Sequence, residues 1–478
     1  VTVPFLAVMF LTGLIIYFRK PKEERQIVFG GLDKSVGIYS VCIVLSFLFA
    51  LNRQAAWMGA SGWYMGVVAQ ALLVLVYFAV SHAKIPVNML LICNASGSAV
   101  CFLIGILQRI GYNPINLYGE IADIISGDFI ATIGNRTWFS GYACAVAPIG
   151  IYLCWKAEDR KSKIIWGCYT LLAFGGLTAS HSDSAYIGLA VVLFAIFIMS
   201  IGDGKRLVAF CRLLTLLFGS TFGISLLRLQ NKELAVPTRG IANVVFNVGL
   251  MATCLLISIL LWIAVWAVCR HREKNRGTTA PSQSGRHLQA GCVSVVCAAV
   301  LLAVVFVALN TLGIPEKWFG FTVHNPYFIF SDEWGDMRGW TWKMTCRMFV
   351  ELPILQKIFG VGADCYGYYA YAVSEHAEEF ARIWTDTPLV NAHNEWMNMI
   401  FCQGLLGGIT YLWIFIAGVI RFIRSKVHPL VPAVGLCVLV YMAHDFFCYQ
   451  QICAAGPIFV LMGAASVLDK KYHKEGKL

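Results

Sequence analysis

Charge is scarce in this chain. Of 478 residues only 13% are Asp, Glu, Lys or Arg, and 58% are hydrophobic. A water-soluble globular protein carries about 25% charged residues. Half that share, with long uncharged runs, excludes a soluble globular domain and points to a polytopic membrane protein. Chemical signatures are missing too. There is no Walker loop, no dinucleotide fingerprint and no HExxH pair. No DxD-like acidic pair of the kind a nucleotide-sugar enzyme uses stands beside a cytoplasmic domain. The apolar runs hold almost no acidic residues, whereas proton-coupled transporters need some. Seventeen cysteines are present, but none form a CxxC pair or a metal-ligand spacing. Most sit inside apolar runs (Cys42, Cys93, Cys101, Cys144, Cys168, Cys254, Cys297, Cys437), where cysteine behaves as a small hydrophobe. One pairing stays open, Cys346 with Cys365. No metal and no cofactor are expected. The sequence opens on Val1 within an apolar run and shows no separate cleavable signal, the pattern of a trimmed or late-starting N-terminus.

What the chain has instead is long apolar runs. A helix needs ~20 mostly apolar residues to span a bilayer. Thirteen runs approach this, at 2–18, 36–51, 64–81, 87–107, 139–155, 164–179, 185–201, 207–226, 241–268, 289–312, 396–420, 429–446 and 451–467. The expected fold class is therefore all-α polytopic, with about 12–14 transmembrane helices. The connections divide into two alternating sets. FRKPKEER, HAK, KAEDRKSK, GDGKR, CRHREKNRGTTAPSQSGRH, RFIRSK and DKKYHKEGK hold 23 of the 37 lysines and arginines. This set should be cytoplasmic. The other set, Asn52–Trp63, Arg109–Trp138, His181–Ser184, Arg228–Gly240, the long polar stretch and Tyr449, should face outward. The net charge of +11 thus reflects topology and not a nucleic-acid footprint. The polar loop Arg270–His287 reads as a loose cytoplasmic connection.

The outward stretch Gly313–Glu395 is the longest part of the chain that cannot sit in lipid. It divides the sequence into N-terminal helices (1–312), the loop itself (313–395) and C-terminal helices with a cytoplasmic tail (396–478). A loop of this length is too long for an ordinary connection. It is rich in aromatics, which suits short helices lying at a membrane surface. The run Arg338–Leu352 has helical character and Pro353 stops it. The Gly-punctuated sequence IFGVGADCYGYYAYA then leads into another short helix.

Several residues carry the chemistry this arrangement allows. His393, flanked by Asn391, Asn394 and Glu395, lies where the loop meets the next apolar run. A histidine suits general-base work near neutrality; the ordinary alternative is a polar helix start, with Asn394 as the cap. Arg338, in DMRGWTWK, offers a planar fork for phosphate or carboxylate, with Trp340, Trp342, Lys343 and Arg347 along the same run. Snorkelling at the headgroups is the alternative for Arg338. Asn135 and Arg136 stand at the outer start of the run 139–155. His181 and Asp183 occupy a very short outer turn, where such residues serve either function or turn geometry. Arg228, Lys232 and Arg239 add positive charge on the same side.

Taken together, GNRTWFSGY, SDSAYIGL, MRGWTWKMTCRMFVELPILQKIFGVG and AHNEWMNMIFCQGLLGGITYL resemble the bacterial O-antigen ligase and O-antigen polymerase superfamily. The resemblance covers the chain from about residue 130 to its end. It implies a GT-C-like membrane glycosyltransferase, metal-independent, that moves a glycan from undecaprenyl diphosphate to an acceptor at the outer face of the bacterial cytoplasmic membrane. It implies a glycan or lipid acceptor and an association with polysaccharide assembly proteins. By position, His393 matches the family's base at the end of the loop, Arg338 its diphosphate-gripping arginine and Asn135 the Asn of its GN motif. The family often has an arginine where this chain has Asp183. Arg136, Arg228 or Arg239 are the candidates to replace it as donor-diphosphate ligands, with Asn135, Asn394, Glu395, His181, Asp183 and Trp342 in support. Ligase and polymerase share these motifs. A polysaccharide or lipid transporter without chemistry, and a protein O-glycosyltransferase of the same superfamily, are the competing readings.

Overall fold

The structure is a computed structural model. It describes residues 8, 11, 12, 15, 19, 30–83, 86–113, 115–118, 128–232, 235–238, 240–276, 283–321 and 323–474. The apolar run 2–18 lies almost wholly outside the described residues, as does Arg239.

Lipid offers no hydrogen-bond partner to a backbone, so apolar runs of this length must close their own bonds as helices. They do. Twelve of the thirteen runs are helices: α1 (Gly31–Leu48), α3 (Val67–Ser81), α4 (Val87–Arg109), α5 (Arg136–Lys156), α6 (Arg160–Ala179), α7 (Asp183–Ser200), α8 (Gly204–Gln230), α10 (Val248–Arg276), α11 (Gln283–Thr311), α17 (Glu395–Phe422), α18 (Leu430–Asp445) and α19 (Ile452–Lys474). Among the described residues nine helices are long and apolar enough to cross a membrane, and α3 and α18 are shorter apolar helices. The chain is an all-α, multi-pass membrane protein. Its remaining helices are α2 (Arg53–Met58), α9 (Ile241–Val245), α12 (Ile314–Phe319), α13 (Trp334–Glu351), α14 (Ile354–Phe359), α15 (Tyr366–Ala372) and α16 (Ala377–Ile383). One two-stranded antiparallel ribbon, β1 (Phe129–Ile130) with β2 (Gly134–Asn135), precedes α5.

The chain forms two compact units. The first comprises Val1–Val41, Val68–Thr278 and Thr410–Leu478. At its heart lies α5, whose span is 78% buried and which packs against α6, α18 and α19. Close packing is possible because small residues face its neighbours: a Cβ on Gly150 would stand 2.0 Å from the Tyr169 ring, and one on Gly188 of α7 would stand 2.7 Å from Cys144 Sγ. The polar turns start the helices. Asn135 Oδ1 accepts from Thr137 N at 2.8 Å, Asp159 Oδ1 from Ser162 N at 2.8 Å, and Asp203 Oδ1 from Lys205 N at 2.9 Å. Each satisfies a backbone donor that the first turn leaves open.

The second unit comprises Cys42–Val67 and Thr279–Ile409. It contains the long polar stretch, which does break into the short helices expected of it. Their core gathers Trp340, Met344 and Met348 of α13, Tyr366 and Tyr369 of α15, Phe380 of α16 and Phe401 of α17. The helix read from Arg338 onward is present, and Leu352 and Pro353 end it. Cys346 and Cys365 do not pair: both are free thiols, the first exposed and the second buried.

The apolar helix α17 is broken at Gly404, whose φ of 72° and ψ of 178° are not helical. The loop after α14 fills the break. Val361 N donates to Phe401 O at 3.3 Å and Gly362 N to Cys402 O at 2.9 Å. The two backbones touch: a Cβ on Gly404 would lie 2.2 Å from Ile358 O, and one on Gly360 would lie 2.2 Å from Cys402 O. Gly404→Ala combines a left-handed backbone with an overlap against main chain that cannot move away. It is expected to destabilise the second unit by roughly 2–5 kcal/mol, seen as a lower midpoint in thermal unfolding of the detergent-solubilised protein. A midpoint unchanged from wild type would show that the interlock is not required.

Candidate functional site

His393 ends the polar stretch, two residues before the first helical residue of α17 proper. Three asparagines build its seat. Asn391 Oδ1 accepts from His393 N at 3.0 Å, Asn394 Oδ1 accepts from Met397 N at 3.0 Å, and Asn398 Oδ1 accepts from Ala392 N at 3.2 Å. Asn394 is thus the helix cap its position suggested, and Glu395 begins the helix fully buried. His393 itself has a φ of 49°, the left-handed region that a β-carbon makes costly. Such strain persists where the surrounding contacts over-determine it. Burial, and then the positive charge of Arg338, push the His393 pKa down to about 3. The imidazole is therefore neutral at pH 7 and able to accept a proton.

Arg338 is brought to His393 by an unusual turn. Gly335, Asp336 and Met337 take left-handed φ values of 61°, 63° and 65°, and regular helix begins only at Arg338. The turn is locked by Trp340 N donating to Asp332 O at 3.0 Å. Arg338 Nη1 donates to the Gly335 carbonyl, which aims the guanidinium back over the turn. The neighbouring cation is spoken for: Lys343 pairs with Asp332 at 2.9 Å and lies over the Phe330 ring. Trp342 packs between Trp334 and Phe330 at centroid distances of 5.5 and 6.3 Å. It serves the aromatic wall of this turn.

A residue that the sequence did not single out lies in the same unit. Asp364, in GVGAD, accepts through Oδ2 from Ala60 N at 2.8 Å and Met65 N at 3.0 Å. Burial raises its pKa to about 7, against the two N–H donors, which lower it. An acid whose folded pKa lies above its unfolded value binds its proton more tightly in the folded state. Stability is then greatest below the unfolded pKa and declines as pH rises toward 7. Asp364→Asn keeps an acceptor oxygen and removes the titration. It is expected to flatten the loss of stability between pH 4 and 7; an unchanged slope in pH-dependent unfolding would assign that slope elsewhere.

The remaining sequence candidates gather in the first unit. His181, with a φ of 54°, stacks edge-on against Phe246 at 5.2 Å, and Arg228 lies over the same ring at 5.1 Å. Its Nε2 is buried without a hydrogen-bond partner. Burial and the charges of Arg109, Arg228 and Arg136, in that order, hold its pKa well below the usual histidine range. Arg109, which the sequence placed at the start of an outward loop, is instead the last residue of α4 and only 1% exposed. Its Nε donates to Ala179 O at 2.8 Å, capping the end of α6. Arg228 donates to Arg109 O at 2.7 Å and Val236 O at 2.5 Å. Arg136 is half-exposed and pairs with Asp128 at 3.7 Å. Asp183 is exposed on the first turn of α7, where its charge suits the helix dipole. The structure therefore brings Arg136, Arg228 and His181 together around Arg109.

Beside this group lies a buried polar chain. Ser140 Oγ donates to Ser182 Oγ at 3.2 Å and meets His444 Nε2 at 2.8 Å, while His444 Nδ1 pairs with Asp445. His444, Asp445 and Cys448 form the one group of metal-competent side chains among the described residues, their ligand atoms within 4.8 Å of one another. Both His444 nitrogens are already engaged by protein groups, so the set reads as an internal link between α5 and α18.

Residues 240–412 match the family described as O-Antigen ligase. The resemblance read from the sequence holds over that range, which contains Arg338, Trp342, Asp364, His393, Asn394, Glu395 and the Gly360–Gly404 interlock. Asn135, Arg136, His181, Asp183 and Arg228 lie before it. The match supports a function of the O-antigen ligase or polymerase type. No curated protein matches the chain.

Proposed function

We propose that this protein is a membrane glycosyltransferase that moves a glycan from undecaprenyl diphosphate to an acceptor hydroxyl at the outer face of the bacterial cytoplasmic membrane, as a ligase or a polymerase. One observation carries the reading: a buried, neutral histidine, His393, stands under the charge of Arg338 inside the range that matches the O-antigen ligase family. The acceptor hydroxyl gives its proton to His393 as its oxygen bonds to the anomeric carbon. The carbon–oxygen bond to the diphosphate breaks, and the electron pair leaves on the diphosphate. Arg338 stabilises the charge that develops there. Direct displacement inverts the anomeric centre.

The electrostatics of the pair make this order sensible. Burial, and then the charge of Arg338, make His393 a weak base. A bound diphosphate offsets that positive charge and so strengthens the base only when donor is in place. The sugar–diphosphate bond is already activated, so nucleotide is not needed. In the first unit, Arg136 and Arg228 add positive charge beside the buried Arg109 and are the proposed further support for the diphosphate. The acceptor is a glycan or a lipid, and other polysaccharide assembly proteins are the proposed partners.

The test is reconstitution. Purified protein in liposomes, given undecaprenyl-diphosphate-linked glycan and acceptor, is expected to release undecaprenyl diphosphate with formation of a new glycosidic bond. A polymerase extends one lipid-linked glycan with another; a ligase moves it to a different acceptor. Translocation of donor with no new bond would replace the reading with transport.

A further inference from the structure

The first unit contains a cavity of about 700 Å³ between α5, α6, α8 and α10. This is within the size range of small-ligand sites. Its place in the fold separates it from Arg136 and Arg228 of the same unit. Helix α5 starts at Arg136 and reaches the cavity only at Trp155; α8 starts at the cavity with Lys205 and Arg206 and reaches Arg228 at its other end. At 1.5 Å per residue these ends are about 30 Å apart, the thickness of a hydrocarbon core. The loops closing the cavity, 156–163 and 202–206, belong to the Lys/Arg-rich set, with the head of 269–276 at its edge.

The lining is cationic and aromatic. Lys163, Lys205, Arg206, Arg212 and Arg270 contribute positive charge against Glu158 and Asp203. Among the described residues only Arg206 of these five has a carboxylate partner, Glu158 at 2.8 Å. Arg212 donates through Nη2 to Cys154 O at 2.7 Å, but its Nε is buried and has no hydrogen-bond partner. A guanidinium held by one backbone carbonyl and short of an acceptor at Nε has geometry for an incoming oxyanion. Two cation–π contacts hold the wall: Arg206 over Trp155 at 5.3 Å and Arg270 over Trp266 at 5.1 Å. Trp262 and Trp266 lie on α10, whose span is only 11% buried, and Trp266 is 47% exposed. The cavity therefore meets an apolar helix face on one side and charged loops on the other.

We propose that this cavity binds a phosphate group, supplied as the headgroup of an acidic phospholipid on the Lys/Arg-rich face of the membrane. Arg212 and Arg206 hold the phosphate oxygens, Lys205 and Lys163 neutralise it from the loop side, and the acyl chains run along Trp262 and Trp266. Basic pockets between membrane helices on that face are suited to anionic headgroups, and Trp belongs at the interface where headgroup and chain meet. No residue of the cavity takes part in the transfer chemistry, so its failure leaves that reading untouched.

The experiment uses the full chain in phosphatidylcholine nanodiscs, with phosphatidylglycerol added as probe and retained lipid counted by native mass spectrometry. Wild type is expected to retain phosphatidylglycerol, and Arg206→Gln/Arg212→Gln to lose retention by roughly tenfold or more. Arg347→Gln, an exposed arginine elsewhere, should retain it as wild type does. If the double variant does not fold, Lys163→Gln/Lys205→Gln, at exposed positions, decides instead. A second arm titrates inorganic phosphate without lipid and follows Trp fluorescence. Binding of inorganic phosphate with the same dependence on these residues, but no retained lipid, assigns the site to a soluble phosphate. Equal retention in wild type and the cavity variants, with no phosphate binding, overturns the proposal.

Discussion

Replacing His393 by alanine is expected to reduce glycan transfer by ~10²–10⁴-fold. The loss should fall on kcat, because the imidazole acts on the acceptor proton in the transition state and not on the donor at rest. Donor binding, followed by retention of lipid-linked glycan, should change little. The neighbouring asparagines supply a control. Asn391, Asn394 and Asn398 secure the backbone on both sides of position 393 through their own side chains, so truncating the imidazole leaves these three hydrogen bonds in place. His393→Ala in the reconstituted system thus separates chemistry from folding. Transfer at wild-type rate by a folded His393→Ala protein would remove the base from the mechanism.

The second large effect belongs to Arg338. Arg338→Gln is expected to lower kcat/KM by ~10²–10³-fold, the usual loss when a charge-stabilising donor is removed. Lysine should restore only part of it, since a point charge does not match two phosphate oxygens as a fork does. The pH profile gives an independent reading. His393 is held low first by burial and then by Arg338. Transfer needs the neutral imidazole, so in wild type the acid limb of kcat/KM due to His393 lies far below neutrality. Removing Arg338 lifts one of the two causes. The limb should move upward, toward but short of the ordinary value near 6.5, because burial remains. An acid limb that stays in place in Arg338→Gln would show that the two residues do not act on one another.

Much of the fold was legible because lipid leaves a chain few choices. Twelve apolar runs could only be helices, and length and charge located them. Capping was legible for the same local reason: Asn394 and Asn135 do what Asn before an apolar run does. His393 and Arg338 drew notice because a polar motif borders a membrane helix there, and in the structure the charge of Arg338 acts on His393. What was not legible is non-local. Nothing in GDM announces three left-handed residues; next to them Gly339 makes room for Ser331 O, which would stand 1.8 Å from a Cβ there. Asp364 resembled one more turn residue until the loop at Ala60 and Met65, some 300 positions earlier, placed two donors on it.

Arg109 entered the sequence reading only as the edge of a loop, and an arginine at the end of an apolar run ordinarily reaches for water. Here it turns inward to the closing carbonyls of a helix that the ribosome makes 70 residues later. Between those two moments α4 carries a guanidinium whose eventual acceptors do not yet exist. Order of assembly follows from this. Helix α4 is costly to commit to lipid by itself and becomes less so beside α6, so the two are expected to leave the insertion machinery together.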